Sequence, residues 1–237
     1  MGSLKKKINI NFLSYLLIKK FISYLTKSFP SKDISDQDLD YLISIVSLYH
    51  RIKNVPGHIA EIGVASGRNA IYFGKLIKMF NHQSVRRYIG FDTFEGFNTE
   101  DLKNDPQLKN YNNKWKINSK KDVINRCFIN EVEDVVEIFE GDANIMVPKI
   151  LKDYDGRRFR KGKAKFALLY IDCNAEKTAI SCMESFYNYM SPGSLIVIDE
   201  KLQGGETSAI LKFAKSKGLN VNFSNFPIVP IEISLPS

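Results

Sequence analysis

The sequence predicts an α/β fold, an open and mainly parallel seven-stranded sheet with helices on both faces. Three observations carry this. From His58 onward, short β-branched or apolar runs alternate with stretches of helical period. Those runs are nearly continuous in apolar residues, as strands covered on both faces must be, and this favours parallel pairing. The chain of 237 residues, 44% hydrophobic and 25% charged, has the size and composition of one domain with a sizeable core.

The elements follow in order. Residues 1–34 read as an amphipathic helical arm. Leu13, Leu17, Ile18, Phe21, Ile22 and Leu25 share one face, Lys19, Lys20, Ser23, Thr26 and Lys27 the other, and Pro30 ends the helix. Ser35 or Asp36 caps a helix to about Arg51, with Leu39, Leu42, Ile43, Val46 and Tyr49 inward. Strands are expected at HIAEIG (58–63), RYIGF (87–91), VVEIF (135–139), FALLYID (166–172) and SLIVID (194–199), with weaker ones near 219–223 and 228–233. Helices are expected near 67–80, 119–130, 142–153, 175–190 and 206–217. Residues 92–118 are longer than an ordinary strand-to-helix connection and read as a lid or surface excursion.

Charge and cysteine usage exclude several classes. The net charge is +8, but residues 1–30 carry +6 and residues 155–165 carry +5, so the rest is slightly acidic. That distribution argues against a nucleic-acid surface. Lys19 and Lys20 interrupt the first apolar stretch and no small-residue cleavage site follows, so an export signal is rejected. No apolar run reaches membrane-spanning length. Three cysteines, Cys127, Cys173 and Cys182, are too few for a disulfide scaffold and read as reduced thiols in a cytoplasmic protein. The arm packs on the domain, joins a second subunit in a homo-oligomer, or lies on a membrane surface.

The chemistry-bearing residues cluster at predicted carboxyl ends of strands, where open α/β sheets bind ligands. Glu61-Ile-Gly63-Val-Ala65-Ser66-Gly67 enters a helix through small residues that allow a tight turn and close backbone approach. It is not GxGxxG, which disfavours a nicotinamide dehydrogenase. Asp92, in Gly90-Phe91-Asp92-Thr93-Phe94-Glu95-Gly96, is placed to accept both ribose hydroxyls of an adenosine, or is a turn aspartate. Asp142, before Ala143, caps a helix and can also accept from an adenine amino group. Asp172-Cys173-Asn174 and Asp199-Glu200 end two central strands. Three converging carboxylates repel one another unless a cation such as Mg²⁺ joins them.

EIGVASGRNA, the FDTFEGF stretch, EGDANIMVPKIL and LLYIDCNAEKTAISCMESFYNYMSPGSLIVIDE occur in that order over about residues 55–215. Together they resemble the macrocin-type (mycinose-type sugar) O-methyltransferases, which use S-adenosyl-L-methionine. The resemblance implies a Rossmann-like class I methyltransferase fold, with residues 35–237 as the cofactor-binding domain. It implies that Glu61, Gly63, Ala65, Ser66 and Gly67 line the methionine end of the cofactor. Asp92 would hold the ribose beside Thr93 and Phe94, and Asp142 and Ala143 would bracket the adenine. Asp172, Asp199 and Glu200 match the family's magnesium ligands, and Asp172, Asn174 and Glu200 fall where catalytic groups are expected.

The implied acceptor is a small-molecule hydroxyl, of a sugar or another secondary metabolite, with no nucleic-acid partner. Two departures stand out. The family usually has Asp-Gly-Asp at 172–174, and Asn174 cannot take a proton at neutral pH. Glu200 stands where a second consecutive Asp is common. Glu200 or Glu206 is left as the base, with His58 and His82 weaker candidates. Two other readings remain: a metal-independent small-molecule methyltransferase, or a non-catalytic assembly protein that keeps the cofactor pocket and works through its arm.

Overall fold

The computed structural model describes residues 35–110, 116, 118–153, 164–199, 205–223 and 231–236. The predicted arm (1–34), Trp115 in the excursion, residues 155–163 of the basic segment and Glu200 lie outside them. Helix α1 spans Asp36–Ile52, followed by β1 (His58–Ile62), α2 (Arg68–Met79), β2 (Tyr88–Asp92) and α3 (Thr99–Asn104). A 3₁₀ turn covers Pro106–Asn110, then come α4 (Lys120–Ile129), β3 (Val136–Glu140), α5 (Ala143–Asp153), β4 (Phe166–Ile171), α6 (Glu176–Tyr187), β5 (Met190–Ile198), α7 (Gly205–Lys217), β6 (Asn222–Phe223) and β7 (Ile231–Ser234). The seven strands lie in the order β3-β2-β1-β4-β5-β7-β6. The first five in that order pair in parallel, and β7 is antiparallel to both β5 and β6. This is the predicted mainly parallel sheet.

Alternation along the strands divides the core. Ala60, Ile62, Ile89, Phe91, Leu169, Ile171, Ile196 and Ile198 pack with α5, α6 and α7 through residues such as Val147, Met183, Phe186 and Phe213. Their alternates turn to the opposite face, where Phe73 of α2 lies against Tyr88 and Tyr170. Burying side chains of this size contributes roughly 1.5–3 kcal/mol each.

Three local expectations need correction. The buried stripe of α1 is Tyr41, Leu42, Ile45, Leu48, Tyr49 and Ile52, while Leu39, Ile43 and Val46 are only half-buried. The helix is rotated because its tyrosines have polar partners inside: Tyr41 donates to Asn69, and the Tyr49 hydroxyl lies 2.8 Å from His82 Nδ1. Strand β5 starts at Met190, four residues before the predicted run, because Phe166 pairs with Met190 across an irregular register. The excursion after β2 contains α3, capped by Asn98, whose side chain accepts from Asp101 N at 2.8 Å. Its polar sequence lacks the long apolar periodicity that marks a core helix.

Candidate active site

The parallel strands finish together. Ile62 pairs with Phe91 and with Ile171, and Ile171 pairs with Ile198, so the residues after them share one rim. A cleft on that rim is lined by Gly63, Ala65, Asp92, Thr93, Gly96, Phe97, Asn98, Asp101, Asp142, Ala143, Asp172, Cys173, Asn174 and Thr178, among others. Eight of the sequence-predicted positions therefore meet: Gly63, Ala65, Asp92, Thr93, Asp142, Ala143, Asp172 and Asn174.

Backbone geometry explains the small residues. Gly63 has φ +92°, and a Cβ there would sit 1.8 Å from the carbonyl oxygen of Asp172. Only glycine lets β1 turn this close to the end of β4. Ala65 also takes a left-handed conformation, with φ 45°. Gly67 caps α2, and its Ser66 neighbour gives a carbonyl to Arg126 at 2.7 Å, so both support the turn from outside the cleft. Phe94 lines an adjoining hollow with Glu95 and Lys116.

Asp92 organises the rim. Its Oδ2 accepts from the backbone of Val64 at 2.8 Å and Ala65 at 2.7 Å, and its Oδ1 accepts from Phe94 N at 2.7 Å. A carboxylate offers about four lone-pair directions, so roughly one stays available to a ligand. Asp142 Oδ1 accepts from the backbone and side-chain amides of Asn144, both at 2.9 Å, as a cap for α5 should.

Glu61 sits behind the cleft instead of in it. It is buried on the α2 face, accepts from Asn69 Nδ2 at 2.6 Å, and meets the Tyr88 hydroxyl. Burial pushes its carboxyl well above the usual range, and the nearby charges of Asp172, Asp199 and Asp92 add to the rise while the Asn69 hydrogen bond opposes it. Tyr41 donates to the same Asn69 and lies under the Arg68 guanidinium, 3.5 Å from its ring centre. The carboxylate thus belongs to a buried polar network that the strand alternation alone would place on this face.

The expected base Glu206 is corrected by its position. It is completely buried at the start of α7, and its Oε1 accepts from both Cys173 N and Asn174 N at 2.5 Å. It holds the 172–174 turn from inside the fold. Gly205 permits that approach, since a Cβ there would lie 2.7 Å from Glu176 N. Asn174 is left-handed, with φ 58°, at the rim of the cleft. The neighbouring Cys173 thiol is pushed well up by burial and by Glu206, so it is a poor nucleophile.

The two candidate histidines do not line the cleft either. His58 is buried at the opposite end of β1, where its Nδ1 accepts from Arg87 N at 3.0 Å. Burial, reinforced by Arg87, lowers its pKa to about 4. His82 lies beside Tyr49, remote from the rim residues in the fold.

Asp172 and Asp199 follow adjacent strands, and Asp199 N donates to Ile171 O at 3.1 Å. Asp199 Oδ1 accepts from the Tyr170 hydroxyl at 2.7 Å. Two carboxylates side by side on a strand rim fit the oxygen-donor chemistry of Mg²⁺. Among the described residues no group of three metal-type side chains forms, and the third expected ligand, Glu200, lies outside them.

Sequence reasoning missed Asp101 and Thr178. Asp101 is buried and its Oδ2 accepts from Thr178 Oγ1 at 2.8 Å, which ties α3 to α6 beside the cleft. Burial raises the pKa of Asp101, with Asp142 and Glu100 adding to the rise. The available signal was the Asn98-x-x-Asp101 cap spacing.

The fold agrees with known proteins. A family model described as a methyltransferase domain matches residues 60–200. The calicheamicin methyltransferase CalS11 shares 22% identity, with 99% of this chain and 97% of that chain covered and a TM-score of 0.64. The O-methyltransferase NovP shares 15% identity over 94% of this chain and 100% of its own, with a TM-score of 0.72. An apo structure of CalS11, described as a TDP-rhamnose 3'-O-methyltransferase of calicheamicin biosynthesis, shares 20% identity over 98% and 99%, with a TM-score of 0.61. At these identities the likeness establishes the fold. No curated protein matches the sequence. No described helix is long and apolar enough to cross a membrane.

Proposed function

The chain belongs to the methyltransferase-domain family, and from that premise we propose that it moves the methyl group of S-adenosylmethionine to a hydroxyl of a small-molecule acceptor, a sugar of a secondary metabolite in particular. The observation that carries this reading is the single cleft that joins Gly63, Asp92, Asp142, Asp172 and Asn174. It offers a glycine turn for close approach, an acid for ribose, an acid for adenine, and a carboxylate where the acceptor would enter.

The chemistry is a displacement. The acceptor oxygen bonds to the methyl carbon as the carbon–sulfur bond breaks, and the acceptor's proton must leave. The enzyme's work is chiefly positioning, since aligned reactants can gain several kcal/mol from proximity alone. Asp92 holds the glycine turn with its backbone hydrogen bonds and turns its remaining lone pair to the ribose. Glu206 fixes the backbone of Cys173 and Asn174, and so the entry of Asp172 and Asn174 into the cleft. Asn174 orients the acceptor by hydrogen bonding and takes no proton. Asp172, Asp199 and Glu200 would hold Mg²⁺, which when bound would favour the alkoxide form of a vicinal diol. The acceptor's proton passes to Glu200 where that carboxylate does not ligate the metal, and to solvent water where all three do. The CalS11 likeness supports a sugar acceptor, and the NovP likeness supports O-methyl transfer.

The test is a thermal-shift titration with S-adenosylhomocysteine, with and without Mg²⁺, on the wild type and Asp172→Ala. Cofactor should raise Tm by mass action. Mg²⁺ should raise it further in the wild type only. A cofactor shift indifferent to Mg²⁺ would replace this reading by a metal-independent transferase. No shift with the cofactor product would overturn it.

A further inference from the structure

Asp101 and Asp142 line one cleft from different elements, α3 and the start of α5. A continuous chain of hydrogen bonds joins them. Asn144 Nδ2 donates to Asp142 Oδ1 and to Thr178 Oγ1, both at 2.9 Å, and Thr178 Oγ1 donates to Asp101 Oδ2 at 2.8 Å. One oxygen of each acid is thereby fixed. The other oxygens, Asp101 Oδ1 and Asp142 Oδ2, have no hydrogen-bond donor among the described residues.

Two acceptor-only groups facing one cleft set a demand on the ligand. Filling the cleft removes their water, and a carboxylate stripped of donors is costly. A ligand seated there must bring hydrogen-bond donors. Adenine carries an N6 amino group with two hydrogens. We propose that Asp101 is a second adenine-reading residue, accepting one hydrogen of the cofactor's N6 amino group while Asp142 accepts the other. The inference rests on S-adenosylmethionine being the cofactor. It also assigns a role to the excursion after β2. Asn98 caps α3 and Thr178 holds Asp101, so the short helix delivers one acid to the cleft. Burial and the Asp142 charge already strain Asp101 as an anion, and an amino donor between the two relieves both.

The test compares calorimetric affinities of the full chain for S-adenosylhomocysteine and for S-inosylhomocysteine, in which a carbonyl replaces the amino group. The wild type should prefer the adenosyl form by about tenfold or more, the weight of a hydrogen bond to a charged acceptor. In Asp101→Asn, whose amide can also donate, the ratio should fall to within about threefold. Glu100→Gln removes a neighbouring charge and should keep the wild-type ratio. Thr178→Val leaves the acid in place but releases its held oxygen, and serves as a second variant should Asp101→Asn fold poorly. It should lower the ratio in part.

A wild type that binds both ligands equally would overturn the proposal. So would an unchanged ratio in Asp101→Asn, or in Thr178→Val where that variant stands in for it, or an equal fall in Glu100→Gln, which would mean net charge alone sets the preference. Failure of the wild type to bind S-adenosylhomocysteine at all would instead overturn the cofactor reading beneath it.

Discussion

The two rims of the sheet solve one problem with opposite charges. At the amino ends of the strands, the buried Arg86 donates to three carbonyls: Gly57 at 2.9 Å, Ile52 at 3.0 Å and Val55 at 2.5 Å. Ser191 donates to Pro56 O at 2.6 Å on the same side. At the carboxyl ends, Asp92, Asp142 and Glu206 accept from backbone N–H groups. Helices that cross back over a parallel sheet end near the strands' beginnings and start near their ends. Their unpaired carbonyls therefore gather at one rim and their unpaired N–H groups at the other. The amino rim spends its cation on structure. The carboxyl rim keeps acceptor capacity over, and that surplus is what makes it the candidate site.

The largest test of this contrast is Gly63→Ala. Its Cβ would collide with the Asp172 carbonyl, so we expect a loss of roughly 4 kcal/mol in chemical denaturation, with cofactor binding abolished. Next is Arg86→Met, which strands buried carbonyls and should cost about 3 kcal/mol. Its remaining folded fraction should bind S-adenosylhomocysteine normally, which calorimetry would check.

The amino rim also predicts a pH dependence. His58 is held neutral, with its folded pKa at about 4 against an ordinary 6.5. Its contribution is present above pH 6.5, is lost as pH falls toward 4, and levels off below. The full loss is roughly 3 kcal/mol. Urea titrations across this range should show the decline, and His58→Asn, which can still accept from Arg87 N–H, should flatten it.

Glu206→Gln has the smallest expected effect on stability, about 1–2 kcal/mol, because one oxygen can still accept. Its effect on cofactor affinity should exceed that on stability, the reverse of Arg86→Met. Equal effects from both variants would dissolve the distinction between the rims.

The carboxyl-rim residues were legible because they lie next to strands with strong local signals. Gly63, Asp92, Asp142 and Asp172 each follow an apolar run, and a parallel sheet brings such ends together. Asp101 and Thr178 were not, since one sits in a polar excursion and the other inside a helix, 77 residues away in sequence. Glu206 was visible only as an acid near other acids. That it grips the backbone of Cys173 and Asn174 depends on where α7 begins in space.

What the sequence alone determined is the alternation of elements, the glycine turn and the gathering of acids at strand ends, since period, turn chemistry and strand direction act locally. Only the tertiary structure decided which lone pairs remain for a ligand. Asp92, Glu206 and Glu61 are the same kind of residue in the chain, yet three backbone donors, a buried turn and an interior network set their duties apart. Hydrogen-bond capacity is used up by neighbours distant in sequence, and burial decides whether water can replace them.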